Sequence, residues 1–333
     1  MAAFNQKLLS IARAVRFEPG ARLVRQGEVS RGAFLIARGG AQAQVALPGG
    51  GMLTVAELGE GDMFGEMALI ERGVCSASVL ARTPVEGWFV ERDDFRAMVA
   101  SRDPQALEVQ RAITRVLAGK LRALNARVRE HPAAEDRPAR QMPSKAEVSF
   151  ERKPAFDWRA FLPLLRFFEG FDAYEIDELL ACGRAFELER GAWLFAPGQS
   201  ADACFLVVRG AVEILSRAGN LERRIALAGP GELVGYLAVL EGAAHAAGAR
   251  VRESACLVAF PAAAFLALYG GDSGTAVSLQ HAIHVSLLRS LARTNNQLTR
   301  LISAARLRGA HEEGKALEAA RGSQIVDVLQ QPA

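Results

Sequence analysis

One unit is written twice in this chain, and that duplication constrains its fold more than any other feature. FEPGARLVRQGEVSRGAFLIARGG, beginning at Phe17, is answered by LERGAWLFAPGQSADACFLVVRGA, beginning at Leu188. At a constant offset Gly20, Leu23 and Gly27 match Gly191, Leu194 and Gly198, while Phe34, Arg38 and Gly39 match Phe205, Arg209 and Gly210. Gly59-Glu60-Gly61 answers Gly229-Pro230-Gly231, and after a one-residue gap Gly65 answers Gly235. Glycines permit turns that other residues resist, so matched glycines mean that the same chain reversals are made twice.

Between reversals each copy carries short apolar runs, in the first copy RLVRQG, AFLIAR, AQAQVAL, MLTVAEL, SASVLA and EGWFVE. Short strands at even spacing with glycine turns predict an antiparallel barrel or sandwich. Each copy then turns to helical periodicity. Ile113, Leu117, Leu121, Leu124 and Val128 share one helix face, and Leu288, Leu291, Leu298 and Ile302 share another. The second copy has a helical lead-in, FLPLLRFFEGFDAYEIDELLACGRAF, and the N-terminus resembles an amphipathic helix running into a strand. HPAAEDRPARQMPSKAEVSFERKP, rich in proline and charge, reads as a flexible linker. The expected layout is domain 1 over 1–130, linker 131–155, domain 2 with a long C-terminal helix over 156–309, and a tail over 310–333.

With 333 residues, half of them hydrophobic, two domains with sizeable cores are the expectation. A net charge of +3 does not point to nucleic acid. Cys75, Cys182, Cys204 and Cys256 form no CxxC pair, which suits a reducing cytoplasm. No apolar run is long enough for a spanning helix, so no membrane insertion is expected. His281 and His284 make an HxxH without neighbouring ligands, and no metal site is expected there. Arg289, Arg293, Arg300, Arg306 and Arg308 are interleaved with leucines at helical spacing and read as a solvated helix face. No catalytic signature appears, and the chain is not expected to be an enzyme.

The stretch FGEMALIERGVCSASV, Phe64 to Val79, is a candidate anion cradle: a tight turn at Gly65, a short helix, then small residues before a strand. Together with PG-x-x-L-x-x-x-G-E, FLIARGG and GEGDMFGEMAL, it resembles the phosphate cassette of the cyclic nucleotide-binding domain. That is the β-roll of catabolite activator proteins, of regulatory subunits of cAMP-dependent protein kinase, and of cyclic-nucleotide-gated channels. The resemblance covers about 15–130 and, more loosely, 160–309. It implies an α+β, mainly β fold of two tandem antiparallel β-rolls (double-stranded β-helices) with flanking helices.

In that family a glutamate receives the ribose 2′-hydroxyl and an arginine pairs with the cyclic phosphate. Gly65, Glu66, Met67, Ala68, Leu69, Ser76 and Ala77 match, but the arginine position falls on Cys75, with Arg72 three residues earlier as a possible substitute. In the second copy Gly235, Leu237 and Ala238 match, while the glutamate becomes Tyr236 and the arginine His245. Burying a phosphate without its cation costs on the order of 3–5 kcal/mol, roughly a hundred- to a few thousand-fold in affinity.

The resemblance thus implies a cytoplasmic signalling or regulatory protein with no cofactor. Its domain 1 pocket for cAMP or cGMP is partly retained, its domain 2 pocket is degenerate, and it acts through a protein partner. The alternatives are a ligand-independent scaffold or oligomerisation module, and a transcription regulator using a non-standard surface. The residues after Gly309 do not supply the helix-turn-helix of the transcription factors, so nucleic acid is not an expected partner. A heptad-like seam through 284–305, with Asn295 among leucines, predicts a homodimer. For Cys75 a redox-sensing thiol with a lowered pKa is the alternative to a half-buried filler.

Overall fold

The computed structural model describes residues 11–46, 50–70, 73–130, 137–138, 142–218 and 221–329, with side chains on the last helix as far as Ala305. The expected N-terminal helix lies largely outside the described residues, and the strand that follows it is β1 (Ala12–Phe17).

The first copy is a roll of two antiparallel four-stranded sheets. One has the order β1, β8 (Val85–Glu91), β3 (Gly32–Arg38), β6 (Met63–Phe64). The other runs β2 (Arg22–Val24), β7 (Ser78–Ala81), β4 (Ala41–Ala46), β5 (Met52–Leu58). Alternate residues point inward, and Ile36, Ala41, Ala43, Phe64, Val79, Ala81 and Val85 fill the space between the sheets. The second copy repeats the roll with fewer breaks. β12 (Ala203–Ala218) spans what β3 and β4 share in the first copy, and β15 (Gly248–Pro261) answers β7 and β8. Around them lie β10 (Arg184–Leu188), β11 (Trp193–Phe195), β13 (Leu221–Ala228) and β14 (Leu233–Val234).

The matched pair Gly39 and Gly210 shows why the repeat keeps glycine. Both have positive φ, and a Cβ would lie 2.0 Å from the Pro84 carbonyl oxygen in one copy and 2.4 Å from that of Ser254 in the other. Two tandem antiparallel β-rolls with flanking helices are what the repeat and its turns predict.

The helices are α1 (Met67–Ile70), α2 (Arg92–Ala100), α3 (Pro104–Glu130), α4 (Ala173–Ala181), α5 (Tyr236–Glu241), α6 (Ala262–Gly270) and α7 (Gly274–Leu329). The lead-in of copy two is made of two short 3-10 turns and α4, which starts on a capping box between Asp172 and Glu175. α7 continues across the boundary read at residue 309. Within the stretch read as a linker, β9 (Arg137–Pro138) pairs with β13, and Ala146 exchanges hydrogen bonds with the Gln199 side chain on the second roll.

The two long helices run side by side and parallel. Gln110 Nε2 donates to Gln280 Oε1, and Thr114 bonds His284, each pair 170 residues apart; Thr294 Oγ1 donates to Asn125 Oδ1 at a separation of 169. That spacing is the offset between the copies beyond the gap, so equivalent positions of the two copies face each other, as in an in-register parallel helix pair. Val109, Ile113, Leu117 and Leu121 of α3 and Leu279, Ile283, Leu287 and Leu291 of α7 belong to one core cluster with residues of both rolls. Arg223 of the second roll donates to the Val128 and Arg129 carbonyls at the end of α3, satisfying acceptors that a helix terminus leaves open.

Part of the seam read as a homodimer surface is covered from within the chain. Leu288 and Leu291 pack in the shared core with α3, and Leu298 is also buried. Periodicity identified the face but not its partner. His284 is enclosed between the helices and spends one ring nitrogen on Thr114, which leaves the HxxH in a packed seam.

Candidate ligand cleft

Gly65, at φ 72°, carries the chain from β6 into α1, and Ala68 N–H closes the turn on its carbonyl. A Cβ here would lie 2.9 Å from the Gly32 carbonyl oxygen, so the turn stays tight against β3. The turn presents Glu66, Met67 and Ala68 to a cleft of about 440 Å³, within the size range of small-molecule sites. Cys75, Ser76 and Ala77 form another part of its wall, with Val45, Val55, Phe64 and Val79 from the roll. The structure thus gathers Gly65, Glu66, Met67, Ala68, Cys75, Ser76 and Ala77 around one space. Arg72 lies outside the described residues.

Both long helices close this cleft. Lys120, Leu124 and Arg127 come from α3, and Leu288, Leu291 and Asn295 from α7 of the other copy. Glu66 is only 3% exposed in its side chain, and Lys120 Nζ meets it at 2.8 Å. A buried carboxylate needs such a partner. Helix residues of this kind were missed by cassette reasoning, because the cassette is local and Lys120 is distant in sequence. The available signal was a lone lysine on α3 in a chain that otherwise prefers arginine.

Cys75 is fixed by its backbone. Its N–H donates to the Glu28 carbonyl, and its own carbonyl accepts from Gly27 N–H. Burial, with a smaller contribution from Glu28, pushes the thiol pKa up despite a hydrogen bond with Ser30. That direction is opposite to the one a redox-sensing thiol requires.

The second copy places Gly235, Tyr236, Leu237 and His245 around a larger cleft of about 920 Å³. His245, where the family has arginine, lies flat on Phe195 with ring centroids 3.6 Å apart and is 5% exposed. A Cβ on Gly235 would come within 3.1 Å of the imidazole, so the ring packs close against the Gly235 turn. Burial lowers the His245 pKa to about 4, so the ring is neutral at ordinary pH. Tyr236 is buried, and burial raises its phenol pKa.

The His245 shift carries a pH prediction. The neutral ring is favoured in the fold, so its contribution is complete above the ordinary value of 6.5 and is lost as pH falls toward 4. Buried His284, lowered to about 3, acts in the same direction. Each contributes a slope of about 1.4 kcal/mol per pH unit in that window. Denaturant midpoints are expected to fall from about pH 6.5 to about pH 5, and His245→Phe, which keeps the stack, to fall less. An unchanged slope in that variant would contradict the assignment.

A family model described as the cyclic nucleotide-binding domain matches residues 14–102 and again 185–272, together more than half of the chain. The chain belongs to the cyclic nucleotide-binding domain family. Among curated members and relatives it is 32% identical over 83 residues to the cyclic AMP receptor protein of Thermus thermophilus, covering 25% of this chain and 38% of that protein. It is 31% identical over 97 residues to the cAMP-dependent protein kinase regulatory subunit of Schizosaccharomyces pombe, covering 29% of this chain and 23% of that one. The match to each therefore spans well under half of the relative's length. Among solved structures, the regulatory subunit of a cAMP-independent protein kinase A from Trypanosoma brucei aligns over 91% of this chain and 89% of that one, at 18% identity and a TM-score of 0.34. Among the described residues no helix is long and apolar enough to cross a membrane.

Proposed function

We propose that this is a cytoplasmic signalling protein without catalytic activity, in which occupancy of the first cleft sets the arrangement of the α3–α7 pair and so the surface offered to a protein partner. One observation carries the reading: the cleft that holds Glu66 and Cys75 is lined by helices of both copies. A ligand there would contact both halves, and differential contact is what lets a ligand shift a conformational equilibrium. cAMP and cGMP are the ligands to which the cassette is related. Glu66 supports a ribose contact, because it lines the cleft and its carboxylate is held by Lys120. The second cradle, where His245 stacks on Phe195, has lost the mononucleotide chemistry.

A second reading, a ligand-independent scaffold, is favoured by the neutral Cys75 in the arginine's place. Calorimetric titration of the full chain with cAMP and cGMP separates the two. Weak, saturable binding that is lost in Glu66→Ala supports the first. Absence of binding in the wild type and in Cys75→Arg supports the scaffold.

A further inference from the structure

The second cleft has lost its cassette cation but not its positive charge. Six arginines line it: Arg122 and Arg129 from α3, Arg224 from β13, and Arg289, Arg293 and Arg300 from α7. Two are already engaged, Arg122 with Glu241 and Arg293 with Glu232, and Arg224 has contacts of its own. Arg129, Arg289 and Arg300 form no side-chain ion pair with a described residue. Glu232 is the acidic residue of the lining, so the cleft is strongly cationic.

These guanidinium groups form two stations. The in-register pairing of α3 and α7 sets Arg129 opposite residues 298–299, within one turn of Arg300. Arg289 lies three turns back on the same face of α7, about 16 Å along the axis, with Arg293 one turn from it. Guanidinium groups pair with phosphoryl oxygens in a fork and stack on flat rings. Ile214, Leu227 and Leu233 supply apolar wall to the same cleft, and the space is about twice that of the first cleft, 920 against 440 Å³.

We propose that the second cleft binds a nucleotide bearing two phosphoryl groups separated by ribose, with its base carried on the sugar beside them. A single cyclic phosphate would engage one station and leave the other uncompensated. Two separated charges engage both, with a base against the apolar wall. Arg289 also lines the first cleft, so it is the residue through which the two sites meet.

The test is titration of the full chain with cyclic di-GMP and with guanosine 3′,5′-bis(diphosphate), which distinguishes a cyclic from a linear source, and with cAMP and pyrophosphate as controls. At least one of the two bisphosphorylated ligands is expected to bind at least tenfold more tightly than either control. Its affinity should fall tenfold or more in Arg300→Ala, whose side chain is exposed and whose loss leaves the fold intact, and should fall again in Arg129→Ala. Binding should persist when the first cleft of Cys75→Arg is filled with cAMP. No binding of either ligand, equal binding of pyrophosphate, displacement by cAMP, or insensitivity to Arg300→Ala would each overturn the proposal. The losses expected in Arg300→Ala and Arg129→Ala do not depend on whether the first cleft takes a cyclic nucleotide.

Discussion

Cys75→Arg is expected to tighten binding of cAMP or cGMP at least tenfold. Gly65 already makes the turn, Glu66 lines the cleft, and Ser76 and Ala77 keep part of its wall small. What the wall lacks is a cation at Cys75. The Lys120 charge is committed to Glu66 at 2.8 Å, Arg127 donates toward the Val55 carbonyl at 3.4 Å, and Arg289 lines the cleft from α7 and not from the cassette. Pairing a buried phosphate is worth on the order of 3–5 kcal/mol, and tenfold in affinity needs only ~1.4 kcal/mol. The wild type should accordingly bind weakly, near the millimolar range if the parent site was micromolar. Calorimetry on both proteins checks this. Tight wild-type binding that the substitution leaves unchanged would mean that another cation, on the helices or in the loop of Arg72, already neutralises the anion. A folded Cys75→Arg protein that still ignores both nucleotides would make the first cradle a relic.

The second large effect is structural. Leu287 is fully buried in the cluster that joins α3, α7 and both rolls. Leu287→Ala removes apolar contact and leaves a cavity, which costs about 2–5 kcal/mol at such sites. The loss should be felt by both copies, because the cluster belongs to neither alone. Chemical denaturation is expected to show a lower midpoint in probes placed on either roll. Leu164→Ala, at a residue 79% exposed, should stay within about 0.5 kcal/mol of the wild type. A Leu287→Ala chain in which only the second roll loses stability would show that the helix pair does not join the halves.

Much of the fold was legible because turn glycines are local. Gly39 and Gly210 cannot carry a side chain against the neighbouring carbonyl, so the sequence records each reversal directly. The apolar runs between them marked strands for the same reason. The pairing of α3 with α7 was not legible, since the stripe of Leu288, Leu291 and Leu298 shows a face needing cover without saying what covers it. The cassette residues of the first cleft came together as the motif implied, yet the ion pair from Lys120 to Glu66 depends on a tertiary contact spanning 54 residues. Arg289, Arg293 and Arg300 read as a solvated face because helical spacing cannot tell open solvent from a cleft. They line the second cleft.

A ligand in the first cleft is expected to act on helices of both copies. Amide hydrogen exchange of the full chain, with and without saturating cyclic AMP on the Cys75→Arg background, tests it most directly. The account predicts added protection in the cassette and in two further segments, Lys120–Arg127 of α3 and Leu288–Asn295 of α7. Protection confined to Phe64–Val79, with both helix segments unchanged at full occupancy, would contradict it.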